Sequence, residues 1–403
     1  KQCENIVKAS SNARYLLQLM GMCVVSVESA PSGRLVLKFC WFGFLMFLFN
    51  NFTYFYCICI VFVDGQSIVR SIYKTKLKHY GDYIESILSI IFVLYSMPKV
   101  PFRITGDIAY KRRIVEVDEA IKKMDEQVDY MSQAHTVLIL ALAPAGVSLM
   151  RVCSVYISLA SSDIVPIEKM VQLIYADVIA LLITMLHCGH INLLRQRFRI
   201  VNISLRRIKD RRARYRGALS RITISDTKLG TEHQEKYICD KIKACAKTHE
   251  LLMGCVVSVN KIYGFAMVQT MSLCLVHIVL YLFYLMEATA SGLYNDANRY
   301  VHFVFYVSWQ ILYGVSVIFF NIHYCEITVK EAKITSRVVH QIINSDISPR
   351  INKEAMTMST QLIHHVPEFT ACGLYPLNYT ILLEGFRTVI TFLALLLQFV
   401  LDK

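Results

Sequence analysis

Side chains that could bind a metal or carry out a reaction occur in this sequence, but their spacing does not assemble a site. His187, Cys188 and His190 are ligand types, yet on a helix Cys188 and His190 point to different faces from His187. His364 and His365 are adjacent and lack the i, i+4 spacing of a helical chelating pair. The sequence contains no glycine-rich phosphate loop and no nucleophile with a base at motif spacing. We therefore predict no metal ion, no cofactor and no enzymatic activity.

A stripe of polar side chains follows the last apolar segment. At about 100° per residue, Arg387, Thr391, Ala394 and Gln398 lie close to one line along a helix, while the other faces are aliphatic. A polar group near the bilayer centre costs roughly 2.5–3.5 kcal/mol on insertion scales, so the stripe must face protein or water. Two interpretations stay open: packing against neighbouring helices, or a water-filled path formed by several copies.

The composition places the chain in a membrane. Of its 403 residues, 55% are hydrophobic and 18% are charged, and the mean hydropathy is +0.43. A soluble domain carries roughly 25% charged residues. An apolar helix of about 20 residues crosses the hydrocarbon core. We predict an all-α integral membrane protein with seven transmembrane helices at residues 39–63, 84–97, 137–157, 171–194, 256–286, 301–322 and 381–401. We expect the second to end at Met97, because Pro98 follows.

The distribution of basic residues gives the orientation. With the N-terminus inside, 33 of the 43 Lys and Arg residues lie in inner segments and 8 lie in outer ones. Cytoplasmic loops collect Lys and Arg, so the sequence predicts a cytoplasmic N-terminus and an extracellular C-terminus. The same rule accounts for the net charge of +13, and we predict no nucleic-acid partner.

Two segments on the predicted inner side are helical in character. Residues 195–248 are strongly basic and predict helices that continue from the fourth and fifth spans. Their arginines favour either contact with inner-leaflet phosphates or a dedicated regulatory site. Residues 325–365 alternate apolar and charged side chains at helical spacing, so this stripe needs cover from the chain's own basic helices or from another subunit.

The outer halves of the third to sixth spans could form a binding pocket. A buried site for a hydroxyl-rich ligand would combine aromatic faces with several donors and acceptors. The candidates are Tyr156, Gln172, Tyr175, Asp177, His277, Tyr281, Tyr306, Trp309 and Gln310. Trp309 beside Gln310, with Tyr306 one turn away, is the densest group. The alternative is that these side chains serve packing and interhelical hydrogen bonds, although Asp177 requires a partner or a function.

The C-terminal segment resembles the signature of the insect gustatory receptors. It runs Phe369-Thr370-Ala371-Cys372-Gly373-Leu374, then Pro376-Leu377-Asn378-Tyr379, and ends Thr391-Phe392-Leu393-Ala394-Leu395-Leu396-Leu397-Gln398-Phe399. That family ends its last helix with Thr-Tyr, five apolar residues and Gln-Phe. Phe392 replaces the tyrosine here, which removes one hydroxyl. The specific motif covers the end of the chain, while the topology extends the resemblance over most of it.

The resemblance implies a plasma-membrane receptor of chemosensory neurons that acts as a homotetrameric, tastant-gated, non-selective cation channel. The last helix would line a central pore, with Phe399 as an apolar gate, Gln398 as a ring of amides, and Leu395, Ala394, Thr391 and Arg387 along the path. Arginine opposes cation conduction, so we expect Arg387 to pair with Glu384 or to lie in a wide vestibule. Leu393 stands where sweet receptors of the family carry an acidic residue, which favours a fructose-like sugar or a bitter plant compound as ligand.

These interpretations give one organisation. It consists of a cytoplasmic N-terminal segment (1–38), transmembrane helices 1–4 (39–194), cytosolic helical extensions (195–255), transmembrane helices 5 and 6 (256–322), cytosolic anchor helices (323–380) and the pore-lining helix 7 (381–403). The alternative function is a secondary transporter, which needs intramembrane charges such as Asp177 and Arg387.

Overall fold

The fold is described by a computed structural model over residues 15, 17–29, 35–66, 78–102, 104–159, 166–219, 227–345 and 348–401. Nearly all of this chain is helical. The helices are α1 (Trp41–Val63), α2 (Lys78–Phe102), α3 (Ile104–Lys123), α4 (Tyr130–Leu159), α5 (Ile167–Leu219), α6 (Thr227–Ala290), α7 (Ala297–Ser345), α8 (Pro349–His364) and α9 (Tyr379–Leu401). A short 3₁₀ turn, Leu293–Asn295, joins α6 to α7.

In the described part of the chain, five helices are long and apolar enough to cross a membrane. They are Trp41–Val63, Ile167–Asp210, Glu232–Ala290, Ala297–Asn344 and Tyr379–Leu396. Two shorter apolar stretches, Tyr83–Met97 and Gly146–Ser158, lie in α2 and α4. Apart from Phe39 and Cys40, which precede α1, every apolar segment predicted from the sequence falls on a helix, whereas the count of seven spans stays a prediction.

The predicted end of the second segment is wrong. Helix α2 continues through Pro98 to Phe102 rather than stopping at Met97. Proline removes one helical hydrogen bond, and helices packed among neighbours tolerate that loss better than isolated ones.

The described part of the segment predicted to form helical extensions is helical. Helix α5 runs without interruption to Leu219, and α6 begins at Thr227, far ahead of its apolar half. Much of the basic cluster that follows Lys209 has side chains outside the described set, so its two interpretations stay open. The division of these helices into membrane and cytosolic parts also stays a prediction.

The amphipathic stripe of α7 is covered by the chain's own helices. Ala332, Val338 and Ile342 are buried, and α5, α6 and α8 all pack against α7. A polar contact fixes the register. The Asn202 side chain donates to the Glu331 carbonyl at 2.9 Å and accepts from the Thr335 hydroxyl at 2.7 Å. Of the two predicted covers for this stripe, the structure therefore shows the chain's own helices.

Two small antiparallel hairpins interrupt the helical architecture, and neither was predicted. Strands β1 (Val25–Ser29) and β2 (Leu35–Phe39) pair ahead of α1, so α1 begins at Trp41 and not at Phe39. Strands β3 (Thr370–Ala371) and β4 (Tyr375–Pro376) pair between α8 and α9. Such short strands lack the length of alternating pattern that would make them visible in a sequence.

The second hairpin fixes where α9 begins. Three residues connect the strands, and the Leu374 amide donates to the Ala371 carbonyl at 2.9 Å, which closes a turn with Cys372 and Gly373 at φ values of 55° and 72°. Asn260 of α6 holds its first strand with two hydrogen bonds, donating to the Glu368 carbonyl at 2.8 Å and accepting from the Thr370 amide at 3.2 Å. Helix α9 is thereby attached to α6 through the hairpin.

Candidate functional site

A buried ion pair joins α4 to α5 in the predicted outer half of the bundle. The Arg151 guanidinium contacts the Asp177 carboxylate through Nη1, and the two side chains are 3% and 5% exposed. The Tyr313 ring of α7 lies under the guanidinium, with its centroid 4.2 Å from Cζ, and the Tyr313 hydroxyl donates to the Asp177 carbonyl at 3.0 Å. The partner expected for Asp177 is therefore present.

Gln310 of α7 completes this group. Its Oε1 accepts a hydrogen bond from Arg151 Nε, so three helices meet at one guanidinium. Gln310 is 1% exposed. Because charged and polar groups inside a membrane helix bundle are costly unless paired, the contacts of Arg151 hold α4, α5 and α7 in one arrangement.

A second polar group lies next to the first and links α2, α6 and α7. The Tyr281 hydroxyl donates to Glu85 Oε1 at 3.0 Å and lies 3.2 Å from the Tyr306 hydroxyl. His277 Nε2 is 3.7 Å from the same Glu85 oxygen. The rings of Tyr281 and Tyr306 meet edge to face, with centroids 5.8 Å apart. This arrangement offers aromatic faces beside a carboxylate and two phenols.

Lys169 extends the polar region toward the N-terminal end of α5. Its ammonium donates to the Ser86 hydroxyl at 2.5 Å and to Gln172 Oε1 at 3.5 Å. Both Lys169 and Gln172 are buried. We call the set formed by Glu85, Arg151, Lys169, Gln172, Asp177, His277, Tyr281, Tyr306 and Gln310 the outer polar cluster.

The structure therefore gathers most of the candidate ligand residues but not all of them. Gln172, Asp177, His277, Tyr281, Tyr306 and Gln310 belong to the outer polar cluster. Three candidates lie elsewhere. Tyr175 is half-buried, with its ring centroid 5.3 Å from that of Tyr54. Tyr156 is 68% exposed, and Trp309 is half-buried with its ring against Phe305, at a centroid distance of 6.3 Å. Because consecutive helical residues point about 100° apart, Trp309 has different neighbours from Gln310, and its part in the ligand site stays a prediction.

Three charged members of the cluster were missed by the sequence analysis. Arg151 and Lys169 were counted only as basic residues of outer segments, and Glu85 was not considered. The signal was available for two of them, since Glu85 and Arg151 lie within predicted apolar spans, where a charge requires a partner. Only the packing of α2, α4 and α5 shows which residue is that partner.

The histidines near the middle of α5 have structural contacts. His187 Nδ1 lies 2.8 Å from Asn321 Oδ1 on α7, and His190 Nδ1 lies 2.7 Å from the Leu186 carbonyl. Within the described residues, no group of three or more His, Cys, Asp or Glu side chains could hold a metal ion.

Helix α9 packs on the rest of the chain through one narrow face. Val389 is buried, and Leu382, Leu393 and Leu396 are half-buried. At about 100° per residue this face is opposite the stripe formed by Arg387, Thr391, Ala394 and Gln398. All four stripe residues are exposed, as is Leu395. The side chain of Phe399 lies outside the described set.

Arg387 makes the pairing predicted for it. Its Nη1 donates to Glu384 Oε1 at 2.7 Å, one turn earlier on α9, and the two side chains are 75% and 52% exposed. Thr391 donates its hydroxyl to the Arg387 carbonyl at 3.0 Å, so in this conformation it satisfies its donor within the helix.

These features agree with the comparison to known proteins. The sequence profile of the 7tm chemosensory receptor family matches residues 13–403. The chain belongs to this family. The resemblance drawn from the C-terminal signature is confirmed, and the protein is a receptor of a membrane-spanning family rather than an enzyme.

The receptor is similar in sequence to insect gustatory receptors. Putative gustatory receptor 28a of Drosophila melanogaster is 20% identical over 422 aligned residues, which cover 99% of this chain and 92% of the relative. The gustatory receptor for sugar taste 43a of the same insect is 26% identical over 160 residues, or 39% of this receptor and 36% of the relative.

A solved structure shares the fold. The insect olfactory receptor OR5 from Machilis hrabei, in complex with eugenol, superimposes with a TM-score of 0.63 over 97% of this receptor and 98% of that chain. Sequence identity is 11%, so this likeness concerns the fold alone.

Proposed function

We propose that the receptor is a tastant-gated, non-selective cation channel of the plasma membrane of chemosensory neurons. Four copies surround one central pore, and α9 of each copy lines it. Seven spans carry the chain from a cytoplasmic N-terminus to an extracellular C-terminus. The ligand, a fructose-like sugar or a bitter plant compound, binds at the outer polar cluster of each subunit.

One observation supports the pore most strongly. The polar stripe of α9 lies on the face opposite to its packing face, so the subunit's own helices do not cover it. Polar side chains facing acyl chains are unfavourable, and a shared aqueous path is the arrangement that relieves all of them at once. Gln398 would form a ring of amides, with Phe399 beside it as an apolar gate.

The outer polar cluster supports the ligand site. It brings two phenols, a histidine, two amides and two buried carboxylates together between helices, which is the mixture of aromatic and polar groups that small-molecule sites use. Ligand binding there would change contacts of α6 and α7. Helix α6 is joined to the start of α9 by the Asn260 contacts, and this provides a route from ligand to pore.

Single-channel recording tests the proposal. Purified receptor in planar bilayers should give unitary current steps when a sugar or bitter compound is added to the extracellular side, and the particle mass in detergent should equal four subunits. The buried Arg151–Asp177 pair is also the kind of intramembrane charge that secondary transporters use. A carrier cannot produce unitary steps, so ligand-driven flux without them would establish the transporter and refute the channel.

A further inference from the structure

The Arg151 and Gln310 side chains retain hydrogen-bond donors that nothing in the described chain accepts. Arg151 Nε and Nη1 are used by Gln310 and Asp177. Arg151 Nη2 and Gln310 Nε2 are buried, and neither has a hydrogen-bond partner among the described residues. The two donors belong to side chains that are hydrogen-bonded to each other through Arg151 Nε and Gln310 Oε1.

These donors define the chemistry of their missing partner. The NH₂ group of an amide and a guanidinium nitrogen can donate but cannot accept. A buried donor left without an acceptor is unfavourable by about 1–3 kcal/mol. The partner must therefore bring an acceptor, which for a ligand means a hydroxyl, carbonyl, ether or carboxylate oxygen.

The balance of charges in the cluster favours one kind of acceptor over the others. Arg151 and Lys169 are balanced by Asp177 and Glu85, and all four residues are at most 5% exposed. A ligand carboxylate or ammonium would add an uncompensated charge to this balanced, water-poor region, where Coulomb energies are several times larger than in water. An uncharged oxygen satisfies the donors without that cost.

We propose that Arg151 and Gln310 determine ligand specificity by selecting an uncharged ligand that presents an oxygen acceptor to Arg151 Nη2 and Gln310 Nε2. Arg151 takes its position from Asp177 and from the Tyr313 ring, while Gln310 takes its position from Arg151 Nε. This assignment rests on the proposal that the outer polar cluster is the ligand site.

Matched triads of compounds test the specificity. Each triad carries an alcohol, a carboxylate or an ammonium on one skeleton: glucose, glucuronate and 6-amino-6-deoxyglucose, or benzyl alcohol, benzoate and benzylamine. Binding is measured as a shift in Tm of the purified full-length receptor, and gating is measured separately as current. We expect the uncharged member of a triad to raise Tm and the two charged members to leave it unchanged. Binding of no uncharged member, or equal binding of a charged one, would overturn the assignment.

A substitution at Gln310 gives the sharper result. Gln310→Glu keeps an oxygen for Arg151 Nε but replaces the free donor with an acceptor. Affinity for the uncharged members should fall at least about tenfold, because one hydrogen bond to a buried polar group is lost, and affinity for the ammonium members should rise. Gln310→Leu removes the donor without adding charge. Its affinity for the uncharged members should fall, and its affinity for the ammonium members should not rise. Ser308→Ala, at an exposed position of the same helix, is the control and should behave as the wild type.

The two proposals fail in different ways. In one case, uncharged compounds raise Tm in the wild type and not in Gln310→Glu, but no compound evokes a current. That result would support the proposed specificity and refute the channel. Currents evoked by charged compounds, unchanged in Gln310→Glu, would leave the channel standing and refute the specificity.

Discussion

Arg197 of α5 and Asp118 of α3 form a two-point ion pair from which water is excluded. Nε donates to Oδ1 at 2.7 Å and Nη2 donates to Oδ2 at 2.9 Å, and both side chains are fully buried. The Tyr130 hydroxyl donates to the same carboxylate at 2.8 Å. This contact fixes α3 against α5 below the outer polar cluster.

Removing one partner should lower the free energy of unfolding by far more than the intact pair contributes to it. Arg197→Met leaves the Asp118 carboxylate buried without a cation, so we expect a loss of about 3–5 kcal/mol and a correspondingly lower Tm in detergent. The control is Arg299→Met, which breaks the Arg299–Asp296 pair, whose side chains are 63% and 52% exposed. That change should cost less than about 1 kcal/mol. Equal Tm shifts for the two variants would contradict this account of the buried pair.

The Arg387–Glu384 pair should influence conductance. In the proposed pore, Glu384→Gln leaves four arginines without their acidic partners, so single-channel cation conductance should fall. The fall should be larger at low ionic strength, because the screening length grows from about 10 Å at 0.1 M salt to about 30 Å at 0.01 M. Arg387→Gln should raise the conductance instead. Asp296→Asn, which breaks a similarly spaced pair outside α9, should change neither the conductance nor its dependence on ionic strength. Conductance that is the same in Glu384→Gln and wild type at both salt concentrations would place the pair away from the permeation path.

The face of α9 that meets water can be mapped with cysteines. Thr391→Cys, Ala394→Cys and Gln398→Cys lie on the stripe, so a charged thiol reagent should modify them in the open state and reduce the current. Phe392→Cys points more than about 100° from the stripe and should resist modification, although Phe392 is 52% exposed in the single subunit. Modification of all four at similar rates would show that α9 rotates freely in water and would exclude a fixed pore face. Currents are compared with the parent receptor, because Cys59, Cys153 and Cys372 are exposed and free.

Gly264 is required for the close approach of α6 to the β3–β4 hairpin. A Cβ at this position would lie 2.8 Å from the backbone nitrogen of Cys372 and 3.2 Å from its Cα. Gly264→Ala should therefore displace the turn, destabilise the receptor by about 1–3 kcal/mol, and shift the ligand concentration for half-maximal current, because α9 begins just after the hairpin. Gly189→Ala is the control, since no atom lies within 4 Å of its added Cβ. As a helical Gly to Ala change it should stabilise by up to roughly 1 kcal/mol. A Gly264→Ala receptor with unchanged Tm and dose response would show that the hairpin contact is dispensable.

The local part of this structure follows from the sequence. Apolar segments with helical periodicity become helices wherever they occur, because backbone hydrogen bonds must be satisfied within the segment in a membrane. For the same reason the stripe of Arg387, Thr391, Ala394 and Gln398 and the Arg387–Glu384 pair were predictable, since both depend only on helical geometry. The C-terminal signature added the family.

Tertiary structure decided which residues meet. Trp309 and Gln310 are neighbours in the chain but face different surroundings, whereas Arg151, Asp177 and Gln310 are distant in the chain and share one guanidinium. Helix packing sets such meetings, and packing depends on the shapes of many side chains at once. The hydropathy of a segment shows that a charge within it needs a partner, but only the three-dimensional arrangement supplies the partner.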